Sequence, residues 1–299
     1  MIFKELIEDL RHSVAAAVNE LFGAAEANQT HPQDLLLVDQ HGFHSQQHTP
    51  ANAAGGARPS PPMLGPDLIG FAESTFYKFM DRYRRSHVIL DRAEFAEHVA
   101  EDPEALTDEE LFLQIEQGIY LRFWESDLIL KRLHQLASLC IGESYDWFLE
   151  IPGHPRGRVI RDGIRDRVKD VCPTFYALVK GNYKSQVRNA IAHSRYCTVG
   201  RNIVFLNYSD DPRDYAPLQK MCFDDWYAIF HTMLLLHNEL IGAFSLCRET
   251  FKRRTLDNEN RIEVRVTSRD GLEEFCDLAM RPGRDEWVWR ENLPRHAVS

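Results

Sequence analysis

The stretch VRNAIAHSRY, residues 187–196, gathers Arg188, Asn189, His193, Arg195 and Tyr196 with no acid among them. Histidine titrates near neutral pH and can serve as general acid or general base. Arginine presents a planar fork of donors to phosphate oxygens and keeps its charge. Asn189 precedes His193 by four residues, so a helix places both on one face, where the amide can orient the imidazole or bond a phosphate. Arg188 precedes His193 by five, roughly 140° around a regular helix. Convergence of that pair needs the length of the arginine side chain or an opened helix end.

Spacing alone is uninformative, because Arg82/His87, Arg92/His98 and Arg290/His296 repeat the Arg-x4–5-His pattern. Context separates Arg188/His193 from these. From Arg156 to Ser209 there are eleven Lys and Arg against Asp162, Asp166 and Asp170, a local charge of +8 in a chain of net −10. No acid occurs between Asp170 and Asp210. Such an island fits a local polyanion site that includes Lys184 and Arg195. It equally fits the neutralisation of an acidic face elsewhere in the fold or in a dimer.

The elements that must position these residues are mostly helical. Residues 1–25 predict an N-terminal helix, with Ile2, Leu6, Leu10, Val14, Val18 and Leu21 on one side. Residues 26–65 change to Pro, Gly, Ala, Gln and Ser and read as a flexible low-complexity linker, with a short apolar run at Leu35–Val38. Residues 66–105 predict a helical extension. A long helix opens near Thr107, where TDEE resembles a capping box, and runs to about Gly142. Helices follow at about 157–170 and 174–195, the latter broken at Gly181-Asn182. Two β-like runs around Gly200 predict a hairpin, and a last long helix starts at Asp224/Asp225. In the tail, RIEVRVTS and EWVWREN alternate as strands, and GLEEFCDLAM between them suits a short helix. The fold class is therefore mainly α: an antiparallel helical bundle over 106–254 with a small β-hairpin, an N-terminal helical extension and a strand-containing segment at 255–299.

A long helix carrying FWESDLILKRLHQL, a second helix, RNAIAHSRY and a final long helix resemble the HEPN superfamily over about residues 106–254. Its signature, R-x4–6-H, corresponds to Arg188 through His193, and the position before the last long helix is where the family carries it. The resemblance implies a metal-independent endoribonuclease with no cofactor. In such an enzyme the RNA's own 2′-OH attacks the adjacent phosphate, in a composite site between two copies of the chain. Arg188, Asn189 and His193 would be catalytic, with Glu125, Lys184, Arg195 and Tyr196 supporting or contacting RNA. Glu125 and Asp127 lie where related domains carry a polar residue facing the motif; a solvated face or a salt bridge is the plainer reading. The resemblance also suggests a toxin–antitoxin or antiviral role, with an antitoxin or regulatory protein as a further partner. Toxins of this superfamily paired with nucleotidyltransferase antitoxins resemble R-x4-H-x-Y and are modified on that tyrosine. Tyr196 lies one residue further on, so that role is not carried over.

Other classes find less support. The six cysteines, Cys140, Cys172, Cys197, Cys222, Cys247 and Cys276, form no C-x-x-C pair, which argues against a disulfide framework or zinc ribbon and for a cytoplasmic protein. The N-terminus lacks signal-peptide features, and no apolar run approaches the roughly 20 residues of a membrane span. His31, His41, His44 and His48 lie in the low-complexity stretch without cysteine partners. DDPRD at 210–214 reads as turn chemistry rather than a metal site. His231 and His237 read as bundle residues. Two rivals remain: an inactive HEPN-like RNA-binding or assembly module, and a nucleotide-binding regulator whose basic island holds a phosphate.

Overall fold

The computed structural model describes residues 2–40, 89–90, 93, 97, 104–214, 216–267, 271–281, 283 and 287–290. It is mostly helical with small sheets. The chain divides into two compact units: residues 1–19, 76–126 and 173–240 in the first, and 20–75, 127–172 and 241–299 in the second. The bundle expected as one body at 106–254 is thus shared between them. The three other Arg/His pairs lie wholly or partly outside the described residues.

In the first unit, β1 (Ile2–Phe3) pairs in parallel with β2 (Ile89–Leu90) and leads into α1 (Lys4–Asn28). Ile89–Leu90 is thus a strand where the sequence predicts helix; residues 93 and 97 are helical, and most of the expected extension at 66–105 lies outside the described residues. Helix α3 (Glu104–Glu125) buries Leu113, Glu116, Tyr120, Phe123 and Trp124, the three-and-four spacing of an amphipathic helix. Its ring contacts include Tyr120 against Trp226, centroids 5.4 Å apart edge to face. The buried His231 accepts the Phe3 N–H at Nε2 (2.8 Å), so its Nδ1 carries the proton and donates to the Tyr227 carbonyl at 2.7 Å.

The expected helix over 174–195 is two helices, α5 (Pro173–Asn182) and α6 (Ser185–Ala192). The break falls at Tyr183–Lys184, two residues beyond the predicted Gly181-Asn182. The Tyr120 hydroxyl stabilises it, donating to the Asn182 carbonyl (3.2 Å) and accepting the Lys184 N–H (3.3 Å). Backbone groups orphaned by a helix end are thereby satisfied. The predicted hairpin is present as β3 (Tyr196–Thr198) and β4 (Asn202–Phe205), and β5 (Lys220–Cys222) adds an unanticipated third antiparallel strand. Arg201 of the hairpin donates from Nε and Nη2 to the fully buried Glu109 of α3 (3.1 and 3.0 Å), which also accepts the Tyr227 hydroxyl (2.8 Å).

The second unit corrects more of the expectations. Part of the predicted linker is ordered helix: α1 continues to Asn28, and α2 (Asp34–Gln40) buries Leu35 through Val38. Residues 41–65 lie outside the described residues. The buried Asp39 on α2 accepts a two-pronged bond from Arg248 (2.9 and 2.8 Å) and an ion pair from Arg132 (3.3 Å). The helix predicted to run to about Gly142 breaks at the buried Ser126 and resumes as α4 (Asp127–Cys140). Serine there is a favoured residue for starting the next helix. The helix predicted at 157–170 is a mixed run: an α turn Arg156–Arg158, a π-helical segment Val159–Arg165 and a 3-10 turn Asp166–Val168.

The last long helix, α7 (Phe223–Asp257), starts where predicted and contributes to both units. By length and composition it could cross a membrane, but half of its apolar window is buried inside the fold. The tail forms a three-stranded antiparallel sheet, β6 (Ile262–Thr267), β7 (Glu273–Met280) and β8 (Trp287–Trp289). GLEEFCDLAM is therefore a central strand rather than a helix. Pairing with β6 from Ile262↔Leu278 to Thr267↔Glu273, and with β8 at its other end, overrides the local helix preference of its Leu and Glu residues.

Candidate functional site

Helix α6 carries the signature and is seated by its inner face. Val187 and Ala190 are buried. Gln186 exchanges bonds with the Leu218 backbone, donating to its carbonyl (2.7 Å) and accepting its N–H (2.8 Å). Asn207 donates to the Gln186 carbonyl at 3.0 Å. With this face fixed, Asn189 and His193 are exposed and Arg188 lies half-buried at the helix flank.

The helix ends where an opened end was needed. Ala192 is its last residue, and His193 is the cap at φ −112°, ψ 12°, outside helical geometry. Ser194 then adopts a left-handed φ of +51°. The Arg195 N–H donates back to Ala190 (2.8 Å) and the Ser194 N–H to Ile191 (3.2 Å), the paired bonds of a Schellman turn. His193 nonetheless keeps the helical bond from its N–H to the Asn189 carbonyl (3.1 Å), so the helix end alone does not bring it to Arg188. Its imidazole has no hydrogen bond or ion pair among the described residues.

Arg188 donates from Nη1 to the Asn189 Oδ1 at 2.8 Å and forms an ion pair with Glu125, the last residue of α3. Burial pulls the guanidinium below its ordinary pKa, and the nearby Tyr120 opposes this; an arginine stays charged after such a shift. Arg188, Asn189 and Glu125 thus form one polar cluster. Asp127 instead pairs with Arg156 at 2.6 Å in the second unit.

The supporting residues spread out. The Lys184 ammonium donates to the Lys180 carbonyl (3.1 Å), and Arg195 is exposed. The Tyr196 hydroxyl donates to Gln114 at 2.6 Å. Gln114 precedes Glu125 by eleven residues on α3, about 16 Å along a helix axis, so Tyr196 is tethered away from the Arg188 cluster. Burial raises its pKa, and the Gln114 bond opposes this. Two residues missed by the sequence reading, Gln114 and Tyr120, hold the hairpin and the α5–α6 junction; Tyr120 is signalled in advance only by its place in the apolar pattern of α3, and the exposed Gln114 by nothing.

The basic island is neutralised in part. Six of its eleven cations pair with acids: Arg156 with Asp127, Arg161 with Asp162, Arg165 with Asp166, Arg167 with Glu143, Arg188 with Glu125 and Arg201 with Glu109. Lys180, Lys184 and Arg195 carry no ion pair among the described residues. In 210–214, Asp211 pairs with Arg213 and the Ser209 hydroxyl donates to Asp214 at 2.5 Å, so the stretch is turn chemistry. His31 lies against the Phe275 ring, and His41, His44 and His48 lie outside the described residues. Among the described residues no group of three His, Cys, Asp or Glu side chains could hold a metal. A groove of about 370 Å³, lined by Ser13, Ala177, Gly181, Asn182 and Thr232 among others, includes none of the signature residues.

No family model, curated protein or solved structure matches the chain.

Proposed function

We propose that the chain is a metal-independent endoribonuclease of HEPN type, working as a homodimer in the cytoplasm. The observation that supports this most is the end of α6, where an exposed His193, without a side-chain partner among the described residues, follows one turn after a fixed Arg188–Asn189 pair. His193 takes the proton from the attacking 2′-OH, and the partner's His193 returns one to the leaving 5′-oxygen. Arg188 and Asn189 stabilise charge on the phosphorane. RNA is the substrate, and a toxin–antitoxin or antiviral role, with an antitoxin or regulatory protein, follows from the resemblance alone.

His193→Ala should lower RNA cleavage by roughly 10²–10⁴-fold. Because the side chain is exposed, the thermal midpoint should not move. Wild-type cleavage by this variant rules the proposal out.

One observation favours a second reading. The Arg188 fork already engages Glu125 and Asn189, as it would in a module that binds RNA or a nucleotide, or assembles, without cleaving. RNA binding that saturates without product is the outcome that selects it.

A further inference from the structure

Cys140 and Cys172 are 32 positions apart in sequence, yet their sulfurs lie 3.9 Å apart inside the second unit. Both side chains are buried, at 1% and 0% exposure. Each has a second contact, with the Leu21 carbonyl (3.3 Å) and the Glu20 carbonyl (3.9 Å) respectively. Cys140 is the last residue of α4, and Cys172 immediately precedes Pro173 of α5. A disulfide needs about 2 Å between sulfurs, so closing the gap brings the two sulfurs nearer by about 2 Å.

The pair is covered but lies beside surface chain. Residues 141–144 follow Cys140 and are exposed, and residues 169–171 precede Cys172 and are exposed. The α4 end is held by Arg167, but the side chains of 169–171 make no hydrogen bond or ion pair among the described residues, and a short turn of that kind opens locally at lower free energy than the whole fold, which admits a small oxidant. The contact between the sulfurs pulls the Cys172 thiol below its ordinary pKa, with burial opposing, and pushes that of Cys140 well above it. Cys172 is thus the sulfur that ionises first.

We propose that Cys140 and Cys172 form a reversible thiol–disulfide pair, oxidised by hydrogen peroxide and reduced by a small dithiol. The Cys172 thiolate attacks a peroxide oxygen; the O–O bond breaks, and the departing hydroxide takes a proton to become water. The Cys140 sulfur then attacks the resulting sulfenic sulfur, the S–O bond breaks, and hydroxide leaves with the Cys140 proton as a second water. Two thiols lose two electrons and the peroxide gains them. The new bond closes a loop around the mixed helical run 156–168 and restrains the unfolded chain. This inference goes beyond the proposed nuclease and does not depend on it.

The test uses the full-length reduced protein treated with hydrogen peroxide, then blocked with N-ethylmaleimide under denaturing conditions and digested without reductant. The expected product is one cross-linked peptide pair containing Cys140 and Cys172, two hydrogens lighter than the free peptides and separated by dithiothreitol. The thermal midpoint should rise by roughly 5 °C in the oxidised protein, and not in Cys140→Ser or Cys172→Ser. Exposed Cys197 serves as an internal control for peroxide exposure. Oxidised Cys197 beside free, alkylatable Cys140 and Cys172 overturns the proposal, as does pairing of either with a different cysteine. Because the mapping is made on the wild-type chain, the result does not depend on whether a serine variant folds.

Discussion

Helices α4 and α6 end in the same backbone turn, and they fill its one demanding position differently. After α4, Gly142 takes the left-handed conformation at φ +78°, with bonds from Glu143 to Ser138 and from Gly142 to Leu139, both 3.0 Å. After α6, the corresponding residue is Ser194 at φ +51°. A side chain in that region costs roughly 1–2 kcal/mol relative to glycine. The α4 end is also tied down by side chains, since Arg167 bonds both the Ser138 hydroxyl and Glu143. The α6 end presents His193, Ser194 and Arg195 to solvent. One turn relieves the strain with glycine, and the other keeps a serine there beside an exposed imidazole.

The comparison can be broken by substitution. After His193→Ala, the largest effect is expected at Arg188, where Ala should lower cleavage by roughly 10²–10³-fold, the loss seen when one donor to a developing anion is removed. Lysine should not rescue it, because a point charge cannot replace the fork shared by Asn189 and Glu125. Steady-state assays of both variants check this.

At the α4 end, Gly142→Ala should destabilise the fold by roughly 1–2 kcal/mol in urea titration and leave cleavage per folded molecule unchanged. An added Cβ would meet only the Asn28 carbonyl at 3.8 Å, so the loss is one of backbone conformation rather than a clash. The smallest effect has the opposite sign: Ser194→Gly should raise stability by up to ~1 kcal/mol, the strain relieved less the added freedom of the unfolded chain. A loss of stability there would show that Ser194 is held by something other than the turn.

Much of this arrangement was legible in the sequence because it is local. The start of α7, the break between α5 and α6, the hairpin at Gly200 and the place of Arg188-Asn189-His193 follow from caps, periodicity and turn residues. What escaped depends on pairing and contacts that local pattern does not show. Ser126 breaks a helix among good helix formers, and β7 is a strand because β6 and β8 pair with it. The acid-free stretch from Asp170 to Asp210 is the clearest case. Its Arg188 meets Glu125 and its Arg201 meets Glu109, 92 positions away, so a gap in acids along the sequence is not a gap in space.

The central claim is that His193 moves the proton of a 2′-OH. The most direct test is to incubate the wild-type protein with RNA in EDTA and identify the new 3′ ends. Cleavage should persist in EDTA and leave a 2′,3′-cyclic phosphate, with no cut where the target nucleotide is 2′-deoxy. Cleavage that requires a divalent cation, or that leaves a 3′-hydroxyl, would contradict that claim.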